Sequence, residues 1–229
     1  MRRAALPMYD WPETRSQTVA FWDRLRAGLE LPALSHPTTM TDLLALWRDP
    51  QTLIADACRG TVDLDLIETQ RIIGRRSYDG VPGGGGTTYR SALVAREGRE
   101  ADPGEKAVLP AGLDRMRLAA NSVDSRSGWL AIAEDAGRDA EDVLWTGAHR
   151  ASIRAVAEGQ ADLAAIDCRS WQLALAHEPA ARALTVIGWT APRPGHFFMT
   201  GTATPDEIAE SLTLGLVAAG QYAPETADA

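Results

Sequence analysis

Two periods of hydrophobic residues alternate along the second half of the chain. RMRLAAN (115–121), the short run at 141–145, ADLAAID (161–167) and LTVIGWT (184–190) read as strands. Between them, 127–136, 149–158 and 169–177 carry apolar residues at helical spacing. This rhythm predicts an α/β fold with a largely parallel sheet flanked by helices. In the first half, Val19, Trp22, Leu25 and Leu29 mark a helix over 14–28 and its exit. Leu43, Leu44 and Trp47 share one face of a helix at 41–48, with Thr41 as the predicted cap. An apolar run over 3–8 ends at Tyr9, TLIAD (52–56) predicts a short strand, and a further strand is placed near 64–68. Thr204, Pro205 and Glu207 announce a last helix that runs to about Ala219 and is closed by Gly220.

GVPGGGG (80–86) cannot be helical, because consecutive glycines lose too much backbone entropy in a regular element. No GK[ST] follows it, so it is read as a mobile turn and not as a phosphate loop. TTYRSALVAR (87–96) comes next, with Tyr89, Ser91, Leu93 and Ala95 alternating as in a strand that crosses between lobes.

Composition changes this picture only at its edges. The 229 residues, 45% apolar and 24% charged, suffice for a large core. A net charge of −8 gives no reason to expect a nucleic-acid partner, yet it permits a small anion held by local dipoles. No stretch is long and apolar enough to predict membrane insertion. In MRRAALPMYDW the positive pair is followed too soon by Pro7, Tyr9 and Asp10 for an export signal. The expected compartment is therefore the periplasm if a signal was omitted, and otherwise the cytoplasm. Cys58, Cys168 and four scattered histidines lack metal-ligand spacing, so no metal or cofactor is expected.

Candidate chemistry concentrates in three polar stations at strand–helix junctions: NSVDSRSGW (121–129), TGAHRAS (146–152) and AAIDCRSW (164–171). Helix starts offer free N–H groups and partial positive charge. Ser125 and Ser127 can donate to an anionic oxygen, and Gly128 can let a ligand approach the backbone. His149 is a donor or a structural cap, with Thr146 beside it. Asp167 either accepts from a ligand ammonium or hydroxyl, or caps the helix that follows. Tyr9 and Trp11 can form an apolar wall with polar edges. No paired catalytic acids or activated nucleophile is visible, so no catalytic residue is assigned.

Together these segments resemble the PhnD-like phosphate/phosphonate solute-binding proteins of ABC transporters, within the type II periplasmic-binding-protein fold. MYD resembles the family's opening and makes Tyr9 its pocket tyrosine. TTYRSALVAR resembles the Y-x-S strand, which implies roles for Tyr89 and Ser91. NSVDSRSG resembles the N…S-x-SG ligand loop, giving Ser125 and Ser127; TGAH gives Thr146 and His149; AAID gives Asp167. VIGWTAPRPG resembles the return strand, with Trp189 and Thr190 near the cleft. The chain departs from the family at ADACRGT (55–61), where members carry a QTCGYPL-like segment. The resemblance implies a two-lobed α/β molecule with a ligand cleft between the lobes. Lobe one would be 1–88 with 191–229, and lobe two 89–190.

The expected function is non-catalytic binding of a small anionic or zwitterionic solute, phosphonate-like, for transport, with an ABC transporter permease as partner. Two alternatives stay open: a cytoplasmic enzyme on the same scaffold, with Asp167 or His149 in acid–base roles, and an intracellular ligand sensor.

Overall fold

The computed structural model describes residues 2–58 and 68–224. Residues 64–67 of the strand expected near 64–68 lie outside these. The chain forms two compact units, Met1–Ser77 with Pro194–Ala229, and Tyr78–Arg193. No helix among the described residues is long and apolar enough to cross a membrane.

The first unit is built on a three-stranded antiparallel sheet. Phe197–Gly201 lies at its centre, between Ala55–Ala57 and Gln70–Arg75. All five central residues are buried, so neighbouring side chains serve opposite faces. Phe198 joins Trp22, Leu25, Ile54, Leu212 and Leu216 on one face, where helices Arg15–Leu25 and Asp206–Ala218 pack. Phe197 and Met199 join Leu46 and Trp47 of helix Met40–Trp47 on the other. The cap of that helix is Thr39 and not Thr41: Asp42 N–H donates to Thr39 Oγ1 at 3.1 Å, and the hydroxyl donates to the Asp42 carboxylate at 2.7 Å. Likewise Thr204 does not cap the last helix, because its hydroxyl donates to the Thr52 carbonyl at 3.2 Å. The apolar run at 3–8 supplies one parallel bridge, Ala4 to Ile54, before a 3-10 turn at Pro7–Tyr9.

The second unit holds a five-stranded sheet in the order Val143–Trp145, Leu118–Ala120, Leu163–Asp167, Ser91–Ala95, Thr185–Trp189. The first three strands run parallel, as the strand–helix rhythm predicts. Ser91–Ala95 is antiparallel to both of its neighbours, so the sheet is mixed and not largely parallel. The cause lies in connectivity. Ser91–Ala95 enters before the strand–helix alternation begins and is inserted between its last two strands. Its five residues are all buried, which obscures the alternation expected of a half-buried strand. Leu93, Leu118, Trp129, Ile132, Leu163 and Ile187 share one core cluster.

The glycine run is a hairpin and not a mobile turn. Gly84–Gly85 pairs with Thr88–Tyr89, and Tyr78 N–H donates to Gly86 O at 2.9 Å. Gly83, at φ +84°, lies against Trp189: a Cβ there would stand 2.2 Å from the indole ring. Both its backbone conformation and its neighbour therefore require glycine.

Candidate functional site

Three parallel strands in the second unit deliver their carboxyl ends to one edge of the sheet, and each is followed by a helix start. In open α/β sheets this edge is where ligands bind. Leu118–Ala120 leads into the 121–130 loop and helical turn, Val143–Trp145 into helix His149–Ala157, and Leu163–Asp167 into helix Cys168–His177. The antiparallel strand brings Ser91 to the same edge, opposite Asp167 in register.

The three stations converge there. Ser127 Oγ lies 2.8 Å from His149 Nε2, and Asp167 Oδ2 lies 3.3 Å from the same nitrogen. Asp167 Oδ1 accepts from the N–H groups of Arg169 and Ser170 at 3.1 and 3.0 Å, so this residue both caps its helix and faces the histidine. Ser91 is fully buried, and its hydroxyl donates to the Ser127 carbonyl at 2.8 Å. Its N–H donates to Thr190 Oγ1, also at 2.8 Å. Ser91 thus braces the 121–130 loop from behind and ties it to Thr190.

Burial pulls the His149 pKa below its ordinary value, and the neighbouring Asp167 charge partly restores it. The ring is neutral at neutral pH. Ser127 Oγ and the Asp167 carboxylate both face Nε2, and the Ala165 carbonyl also favours the protonated ring. This is not the geometry of a nucleophilic triad, in which serine and acid hold opposite ring nitrogens. Cys168, the next residue after Asp167, offers no nucleophile either, because burial and the adjacent carboxylate push its thiol up to about 12.

Ser125 is a cap: its side chain accepts from Gly128 N–H at 3.1 Å, and its carbonyl accepts from Trp129 and Leu130. Gly128 is not open to a ligand in the way its position suggests. A Cβ there would fall 1.8 Å from Asn121 Oδ1, so the Asn121 side chain occupies the space that glycine leaves. Thr146 stands apart from the Ser127–His149 pair; its Oγ1 lies 2.7 Å from Ser152 Oγ and 3.1 Å from the Ala120 carbonyl, and braces the loop before His149. Tyr89 is buried in the hairpin, stacked on Tyr78 at 5.6 Å. Helix His149–Ala157 is fixed from its far side by Glu178, which accepts from Arg150 and Arg154 at 2.7 and 2.9 Å.

Tyr9 and Trp11 belong to the first unit. Tyr9 is buried and stacks on His196 at 5.0 Å, and the Arg76 guanidinium lies 5.1 Å from its ring centroid. Arg76 also reaches Phe198 and pairs with the fully buried Asp56 at 2.6 Å. Burial pushes the Asp56 carboxyl above the usual range, and Arg76 pulls it partly back. Trp11 is half-buried at the start of the turn that caps Arg15–Leu25. Sequence reasoning missed Arg76, Asp56 and His196, because contacts across 20 residues and more leave no local pattern. Among the described residues neither Cys58 nor Cys168 is joined in a disulfide. Among the described residues no group of His, Cys, Asp and Glu is arranged to hold a metal ion.

Comparison with known proteins bears on these features as a whole. The chain is similar to PhnD1 from Prochlorococcus marinus, solved in complex with methylphosphonate: identity is 15%, the TM-score is 0.67, and 95% of this chain and 82% of that one are covered. A binding protein component of an ABC phosphonate transporter from Pseudomonas aeruginosa gives 17% identity, a TM-score of 0.65, and coverage of 92% and 72%. The periplasmic VFT2 domain of Bordetella pertussis BvgS gives 14% identity, a TM-score of 0.59, and coverage of 95% and 86%. These likenesses establish the two-lobed periplasmic-binding-protein fold. No curated protein matches the sequence. The profile of the family described as "ABC transporter, phosphonate, periplasmic substrate-binding protein" matches residues 5–229, and the chain belongs to that family.

Proposed function

We propose that this protein binds a small phosphonate-like oxyanion without transforming it, and delivers it in the periplasm to an ABC transporter permease. The observation that carries this reading is the Ser127–His149 pair, 2.8 Å apart at the carboxyl edge of the parallel strands. A serine O–H and the first N–H groups of a helix are donors suited to an oxyanion. Both residues keep a little exposure, 8% for Ser127 and 13% for the His149 side chain, whereas Ser91 keeps none. Ser127 and His149 are therefore read as contact residues, with Ser91, Ser125, Thr146 and Asp167 as their supports. Family membership and the methylphosphonate held by the similar PhnD1 support the same ligand class.

Isothermal titration with methylphosphonate tests the reading. One saturable site is expected, weakened at least tenfold in Ser127→Ala and in His149→Ala, about 1.4 kcal/mol each. Absence of binding to methylphosphonate, phosphite and phosphate alike overturns it, as do variants that bind like the parent.

A further inference from the structure

We infer that the solute taken at the Ser127–His149 station carries no ammonium group. The inference rests on the oxyanion reading above and narrows it. An aminoalkylphosphonate brings a positive charge as well as a negative one, and desolvating that charge requires a carboxylate to receive it. The station's one buried carboxylate is Asp167, whose side chain is 3% exposed; Asp124, on the 121–130 loop, is exposed to solvent. Asp167 Oδ1 already accepts from two backbone N–H groups, and its Oδ2 faces the His149 ring. An ammonium received there would compete with the helix-cap N–H groups for Oδ1 or with the His149 ring for Oδ2.

The other carboxylates of low exposure in this unit are engaged in the same way. Asp135 meets Arg193 through both oxygens, at 2.8 and 3.1 Å, and accepts from Ala191 N–H at 2.8 Å. Glu178 receives Arg150, Arg154 and the Ala180 N–H. Glu134, more exposed, pairs with Arg126 on the 121–130 loop and with Arg193. Asp167 is thus read as part of the protein's own framework, as a cap and not as a ligand-receiving acid.

The test is titration of the full chain with methylphosphonate and with 2-aminoethylphosphonate at pH 7. Methylphosphonate is expected to bind at least tenfold more tightly. Equal affinities, or preference for the amino compound, overturn the inference and leave the oxyanion reading standing. If neither binds, the oxyanion reading fails and the inference falls with it. A second arm uses Asp167→Asn, whose amide oxygen can still accept from the helix N–H groups. The ratio of the two affinities is expected to change less than threefold. A selective loss of the aminoethyl compound would identify Asp167 as its ammonium receptor and overturn the inference.

Discussion

Gly128→Ala separates two accounts of the 121–130 loop. Sequence position suggests that glycine leaves room for a solute; the structure fills that room with Asn121. A Cβ at Gly128 would stand 1.8 Å from Asn121 Oδ1 and 2.9 Å from Ser125 Oγ. Ser125 can retreat only by releasing the Gly128 N–H it holds at 3.1 Å, a cap worth about 1 kcal/mol. Forcing the Asn121 amide aside adds about 1–3 kcal/mol of overpacking. The variant is expected to lose roughly 2–4 kcal/mol, read as a fall in Tm of about 5–15 °C by circular dichroism. Asn121 Oδ1 is buried without a hydrogen-bond partner, so truncating this side chain removes the clash and forfeits little at that atom. Asn121→Ala combined with Gly128→Ala should therefore recover at least half of the loss, a non-additivity diagnostic of contact. A Gly128→Ala protein that melts within about 1 °C of the parent but binds solute weakly would refute this reasoning and restore the open-backbone role.

Three further outcomes follow from the buried charges. Arg76→Leu leaves Asp56 buried and uncompensated, at a cost of about 3–5 kcal/mol; Arg76→Leu with Asp56→Asn should recover most of it in the same melting assay. Because burial already holds Asp56 above the usual range, the single variant should lose less stability, relative to the parent, as pH falls and the carboxyl takes up a proton. Glu178 responds in the opposite sense. Burial raises its pKa, but hydrogen bonds from Arg154 and Arg150 outweigh this and hold it at about 2, against an ordinary 4.5. Full linkage would be about 3 kcal/mol, and solvent around the half-exposed Arg154 screens it to about 1–2 kcal/mol. Glu178→Gln should thus be destabilised by that amount at pH 7, with the gap shrinking below pH 4.5 and closing near 2. A gap that persists at low pH would show that charge is not the cause.

What was legible in the sequence is what depends on short-range pattern. The stations at 121–129, 146–152 and 164–171 stand out because hydroxyls, glycine, histidine and acid follow apolar strands at helix starts. Their convergence is a consequence of three parallel strands sharing a carboxyl edge, which the strand–helix rhythm encodes. Strand direction outside that rhythm is not encoded locally, so the antiparallel insertion of Ser91–Ala95 was missed. The hairpin at the glycine run was missed for a related reason: what orders Gly83 is Trp189, far along the chain. In TTMTD the choice of cap turned on a finer detail, since Thr39 has Asp42 three residues on to complete a reciprocal pair. Asn121, Arg76 and Asp56 act through neighbours that sequence spacing does not reveal.

The central claim is that Ser127 and His149 meet the solute directly. Nuclear magnetic resonance of nitrogen-15-labelled protein during a methylphosphonate titration tests it most directly. The His149 Nε2 and Ser127 amide signals are predicted to shift together and saturate at the affinity found by calorimetry. Saturable binding that leaves both signals unmoved, while others shift, would contradict the account.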